Sequence, residues 1–143
     1  MIETSELRKQ VKHTIEQARR HAAAHRAAAD LASSRFEAFA RDVAGPVFRQ
    51  CAGALKAEGH PFQVFTPSSS LRLASERSGD DFIELALDTS RDPVALVLKV
   101  SHTRGRHLVE DERVVHQGPD LDTFSERDVL RVVLDALRPF VER

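Results

Sequence analysis

The first 44 residues contain neither glycine nor proline, and a heptad pattern runs through them. Val11, Ile15, Ala18, Ala22, His25, Ala29, Ala32, Phe36, Phe39 and Val43 advance in alternating steps of four and three. That is the a/d seam of a helix that packs along its length. Ala, Arg, Gln, Glu and Leu dominate the positions between, and all are good helix formers. Ser5 or Thr4 is the expected N-cap.

Such a helix is long for its chain. Forty residues span ~60 Å, whereas a compact domain of this size has a diameter near ~40 Å. A straight helix would overhang its own domain with an exposed seam, which needs a partner. One solution is pairing with a second copy. The other is a fold-back near Ser33-Ser34, where Ser34 and Glu37 fit a capping box. The expectation is a homodimer joined through the seam positions.

Gly45-Pro46 must interrupt the helix, because Pro46 has no N–H for the carbonyl of Asp42 and its ring crowds it. The apolar pattern then resumes at Val47, Phe48, Cys51, Ala52 and Leu55. Gly59 suits the position after a helix end, with Pro61 beyond. A kinked helical segment over 1–58 is expected, followed by a sheet-plus-helix core over 59–143, together one domain.

After residue 60 the period changes to two. Phe62 to Thr66, Leu71 to Glu76, Phe82 to Asp88, Val94 to Ser101 and His107 to His116 read as strands. The links between them are too short for crossover helices, so the strands form an antiparallel meander. A turn centred on Gly79 sets Leu73 opposite Leu85 and Leu71 opposite Leu87. The next sets Leu87 opposite Val94 and Leu85 opposite Leu96. The register of the fifth strand stays open, because Leu108-Val109 and Val114-Val115 are apolar on both parities. A bulge or a charged edge accounts for that pattern. A final helix opens with a capping box at Thr123 and Glu126. It carries Val129, Val132, Val133, Ala136, Leu137 and Phe140 on one stripe, which Leu130 and Leu134 widen. The fold class is α+β: a long N-terminal helix, a five-stranded antiparallel meander and a C-terminal helix on the sheet. Ala74, Ala86, Ala95 and Val97 make a lesser stripe on the second sheet face, where segment 46–58 is expected to dock.

Composition narrows the function classes. No apolar run approaches the ~18 residues of a membrane span. Met1 to Glu6 lacks the basic and apolar regions of a signal peptide, so a cytoplasmic setting is expected. Cys51 is the only cysteine, which excludes an intrachain disulfide. Ala is concentrated before residue 58 and Arg outnumbers Lys 17 to 4, a bias associated with GC-rich bacterial genomes. The net charge of −1 hides an asymmetry. Residues 1–57 hold ten basic and six acidic side chains, and residues 58–124 hold seven and twelve. Two such parts attract each other within a molecule or between copies.

Several groups bear on chemistry. His21 and His25, at i and i+4, place two imidazoles on one helix face as a candidate metal pair, but a tetrahedral site needs four ligands. His102, Arg104, Arg106 and His107 gather at a hairpin tip, where arginine forks suit a phosphate or carboxylate. In Glu110-Asp111-Glu112, strand alternation separates Asp111 from the two glutamates. Cys51 shares an apolar face with Phe48 and Leu55, as a buried thiol does. The basic side chains of the first helix, among them Arg8, Lys12, Arg19 and Arg26, are modest for a nucleic-acid interface and lack stacking aromatics. Neither a catalytic constellation nor a glycine-rich phosphate loop is present, and no cofactor is implied. The expected function is a non-enzymatic interaction protein, adaptor or chaperone-like, that self-associates through its first helix. An anion-binding domain using hairpin 102–107 is the alternative, and a nucleic-acid binder the third.

Overall fold

A stretch of good helix formers with no breaker gives an unbroken helix. The computed structural model describes residues 1–142, and α1 spans Thr4–Phe39, straight through Ser33 and Ser34. The fold-back there does not occur, since two serines alone do not outweigh the helix formers around them. The N-cap is Glu3, not Ser5 or Thr4, and Ser5 Oγ donates to the Glu3 carboxylate at 3.0 Å.

The interruption at Gly45-Pro46 takes the form of a π turn over Ala40–Ala44, from which α2 continues over Gly45–Ala57. The Gly45 N–H donates to the Ala40 carbonyl, five residues back. Pro46 then falls in the first turn of α2, where its missing N–H costs little. A Cβ on Gly45 would lie 2.5 Å from the Ala40 oxygen, so the turn needs glycine for space, not for its backbone angles. The far end of α2 closes as a Schellman motif. Gly59, at φ +86°, donates to Lys56 O, and His60 donates to Leu55 O at 2.8 Å.

Five strands follow: β1 Phe62–Phe65, β2 Leu71–Ser75, β3 Phe82–Asp88, β4 Ala95–Arg104 and β5 His107–Gln117. They pair in chain order, all antiparallel. Two registers differ from expectation by two residues. Leu73 faces Ile83 and Leu71 faces Leu85; Leu87 faces Leu96 and Leu85 faces Leu98. The slip keeps every side chain on its expected face, because the strand period is two. β5 resolves through a bulge. Leu96 pairs His116 and Val97 pairs Val114, which leaves Val115 as the extra residue, packed against the core.

α3 spans Glu126–Val141. Its capping box is Ser125 with Asp128, not Thr123 with Glu126. The helix starts later because Phe124 turns inward to the core and its N–H bonds Leu121 O at 3.1 Å.

Phe48 and Cys51 of α2 and Val129 and Val133 of α3 share one core with Leu73, Ile83, Leu85 and Leu98. Both helices therefore cover the same sheet face. Segment 46–58 does not dock on the other face, because its apolar side turns toward the larger Leu/Ile row. The opposite face carries the row Arg72, Glu84, Lys99 and Glu112, which are paired across β2 to β5. Arg72 bonds Glu84 at 3.0 Å and lies 4.0 Å over the Phe82 ring. Arg91 bonds Asp88 at 3.0 Å and reaches Glu112 at 3.8 Å, which adds a further cation to this charged face.

Candidate functional site

The heptad seam divides into two parts. Ala32, Phe36 and Phe39 are buried in the chain's own core, with Phe39 against Phe124 and Val43 packed beside them. These positions are not available to a second copy, because the chain's own core already covers them. A charge placed at Phe36 or Phe39 would disrupt folding before it tested any interface. His25 and Ala29 are half-buried, and Val11, Ile15, Ala18 and Ala22 are exposed.

The division falls where α1 crosses the loop between β3 and β4. His21 Nε2 meets the Asp92 carboxylate at 2.5 Å, and His25 Nε2 meets the Thr89 carbonyl at 2.9 Å. The i,i+4 spacing does set both imidazoles on one face, but that face grips a loop. The second nitrogen of His25 lies 3.8 Å from Asp92, while its Nε2 is turned to the backbone. Among the described residues no group of three or more His, Cys, Asp or Glu is arranged to hold a metal ion.

Beyond this clamp the helix is an arm. Residues 4–20 are exposed apart from half-buried Glu16, and at ~1.5 Å per residue they project ~25 Å. Leu7, Val11 and Ile15 form an i,i+4 stripe along the arm, exposed by 47%, 51% and 44%. Arg8, Lys12 and Arg19 flank it. Large apolar side chains left half in water at regular spacing are the mark of a contact surface.

A second apolar surface was not anticipated. Between α2 and α3 lies an open groove of ≈ 520 Å³. Cys51 and Leu55 line one wall, and Leu130, Leu134 and Leu137 line the other. Leu130 and Leu134 are 38% and 52% exposed. Glu58, Glu126 and Arg127 stand at its rim. Burial raises the Cys51 thiol above its ordinary pKa, so it stays protonated and unreactive.

The hairpin tip borders a hollow of ≈ 490 Å³ with His102, Thr103 and Arg104 on one side and Pro139 and Glu142 on the other. Arg106 and His107 are exposed. His102 packs edge-on to Phe140 with ring centres 6.0 Å apart. The hollow therefore faces a carboxylate and the C-terminal end of α3, whose carbonyls carry partial negative charge. Both oppose an anion there. The acidic run on β5 is a solvated edge. Glu110 lies 3.8 Å from Lys99, Glu112 meets Arg91, and Asp111 points to the other face beside Val100.

Among the described residues no helix is long and apolar enough to cross a membrane. No protein-family model matches the chain, and neither a curated protein nor a solved structure does.

Proposed function

We propose that the chain is a small cytoplasmic interaction protein, adaptor or chaperone-like, that self-associates through its N-terminal helix and performs no chemistry of its own. One observation carries this reading: an arm of ~25 Å leaves the domain with Leu7, Val11 and Ile15 half exposed along one face. The exposed part of the seam, Val11, Ile15, Ala18 and Ala22, forms the interface together with Leu7 one turn earlier; the buried part serves the monomer's core.

Magnitudes say how much of a partner the arm requires. Fully burying a Leu, Val or Ile gains ~1.5–3 kcal/mol, and a side chain already half covered gains about half of that. Six such side chains, three per arm, supply roughly 5–9 kcal/mol against an association cost of ~4–15 kcal/mol. Two arms crossing each other give a marginal dimer, so the arm needs further apolar surface on its partner.

The test is solution mass. Light scattering should read about twice the 16.0 kDa of one chain. Removing residues 1–20 should return it to a monomer with its folding stability intact, since residues 4–20 are exposed apart from half-buried Glu16. A mass of one chain at all accessible concentrations refutes the reading.

A further inference from the structure

We infer that the arm of one copy seats its Leu7, Val11 and Ile15 stripe in the α2–α3 groove of a second copy. This rests on the self-association proposed above and names the surface that receives the arm.

Both halves of the contact are on the same chain and both are incomplete. The stripe is a convex ridge with one apolar side chain per turn. The groove is concave, and Leu130 and Leu134 also stand one turn apart. Leu7 to Ile15 spans ~12 Å and Leu130 to Leu137 spans ~10 Å, so ridge and groove match in length. The arrangement is a helix laid in an apolar groove with anchors at i, i+4 and i+8.

The occupant must come from another molecule. Ile15 and Val47 lie on one continuous helical run, 32 residues apart, or ~48 Å along the axis. An arm cannot reach its own groove without breaking α1. Charge points the same way. The stripe is flanked by Arg8, Lys12 and Arg19 with Glu16, and the groove rim holds Glu58 and Glu126 with Arg127. The arm is net basic where the rim is net acidic, which favours this pairing over two like-charged arms side by side. The groove also supplies the apolar area that arm-on-arm contact lacks. Exchange of arms in both directions makes the contact reciprocal, as a two-fold dimer requires.

Single-cysteine chains test the assignment in a Cys51→Ala background. One chain carries Val11→Cys, and the other carries Leu134→Cys with a tag that changes its mass. Both positions are exposed, so neither substitution threatens the fold. A short bismaleimide added to the mixture should link the two different chains and leave each chain alone unlinked. In the unmodified protein, Leu134→Asp should raise the dimer dissociation constant by about 10- to 100-fold. Linking of two Val11→Cys chains to each other overturns the groove assignment and leaves self-association standing. No linking in any mixture, together with a one-chain mass, overturns both.

Discussion

Gly45→Ala should destabilise this protein, and Gly53→Ala, on the same helix, should stabilise it. Both glycines sit in α2 with helical backbone. In an ordinary helix, replacing glycine with alanine gains up to about 1 kcal/mol, because glycine loses more backbone freedom on folding. Gly53 is ordinary: a Cβ there would meet nothing within 4 Å. Gly45 is not, since its Cβ would fall 2.5 Å from the Ala40 oxygen, at least 0.5 Å inside the 3.0 Å that real contacts respect. The obstructing atom is backbone and is held by the Gly45 N–H itself, so it cannot swing aside. Overpacking of this kind costs about 1–3 kcal/mol. Set against the helix gain, the net loss is up to about 2 kcal/mol. With a urea slope of about 2 kcal/mol/M, the unfolding midpoint falls by up to about 1 M for Gly45→Ala. For Gly53→Ala it rises by about 0.3–0.5 M. Urea melts followed by circular dichroism measure both. A midpoint that rises in both variants refutes the π turn as the reason for glycine at position 45.

Three further outcomes follow from caps and burial. Ser125→Ala removes the acceptor for the Asp128 N–H and should cost about 1 kcal/mol at neutral pH, read from the same melts. Asp128 is held below its usual pKa of 3.8 by the Ser125 backbone N–H and hydroxyl, with Arg131 adding less. Its contribution is therefore complete above the unfolded pKa and is lost as pH falls through the lower folded value, so Asp128→Asn should flatten the acid limb of the stability profile. Cys51, 7% exposed on the groove wall, should react with a thiol reagent much more slowly than a free thiol, at a rate that climbs with denaturant. Native labelling as fast as a free thiol contradicts its burial.

The strands were legible because alternation of Leu, Ile and Val with polar residues survives any two-residue slip. Register was not, for the same reason: Leu71 opposite Leu85 and Leu71 opposite Leu87 bury the same face. The turns decide between them, and here they are long. Ser75 N–H bonds Asp81 O across the β2–β3 connection, and Pro93 has no N–H for the next ladder. The heptad seam located an apolar face and could not say what covers it. Phe36 and Phe39 read like Val11 and Ile15, yet one pair is core and the other is not. The His21–Asp92 contact joins residues 71 apart, which no local pattern encodes. The groove did leave a trace. Leu130 and Leu134 make the stripe of α3 wider than one sheet face can cover, and the surplus lines the groove.

The phase of the apolar pattern across Gly45-Pro46 binds the arm to the core. Continued past Val43 in steps of three and four, the seam would fall on Pro46, Gln50, Gly53 and Ala57, none a large apolar side chain. Three of the side chains buried there, Ala44, Val47 and Cys51, come one residue later in each case, and Phe48, also buried, stands beside Val47. One inserted residue corrects the mismatch, and a π turn is such an insertion in a helix. Without it, the face of α2 that meets the sheet would be rotated by ~100° from the face that Phe36 and Phe39 present. The missing Cβ at Gly45 makes room for the insertion, and Pro46 follows it where a missing N–H is harmless. Because the turn allows both helices to pack on one sheet face, it also fixes the line along which α1 leaves the domain. The direction of the arm is thus set by core packing at Phe36, Phe39, Val47 and Phe48, some 30 residues from the stripe it presents.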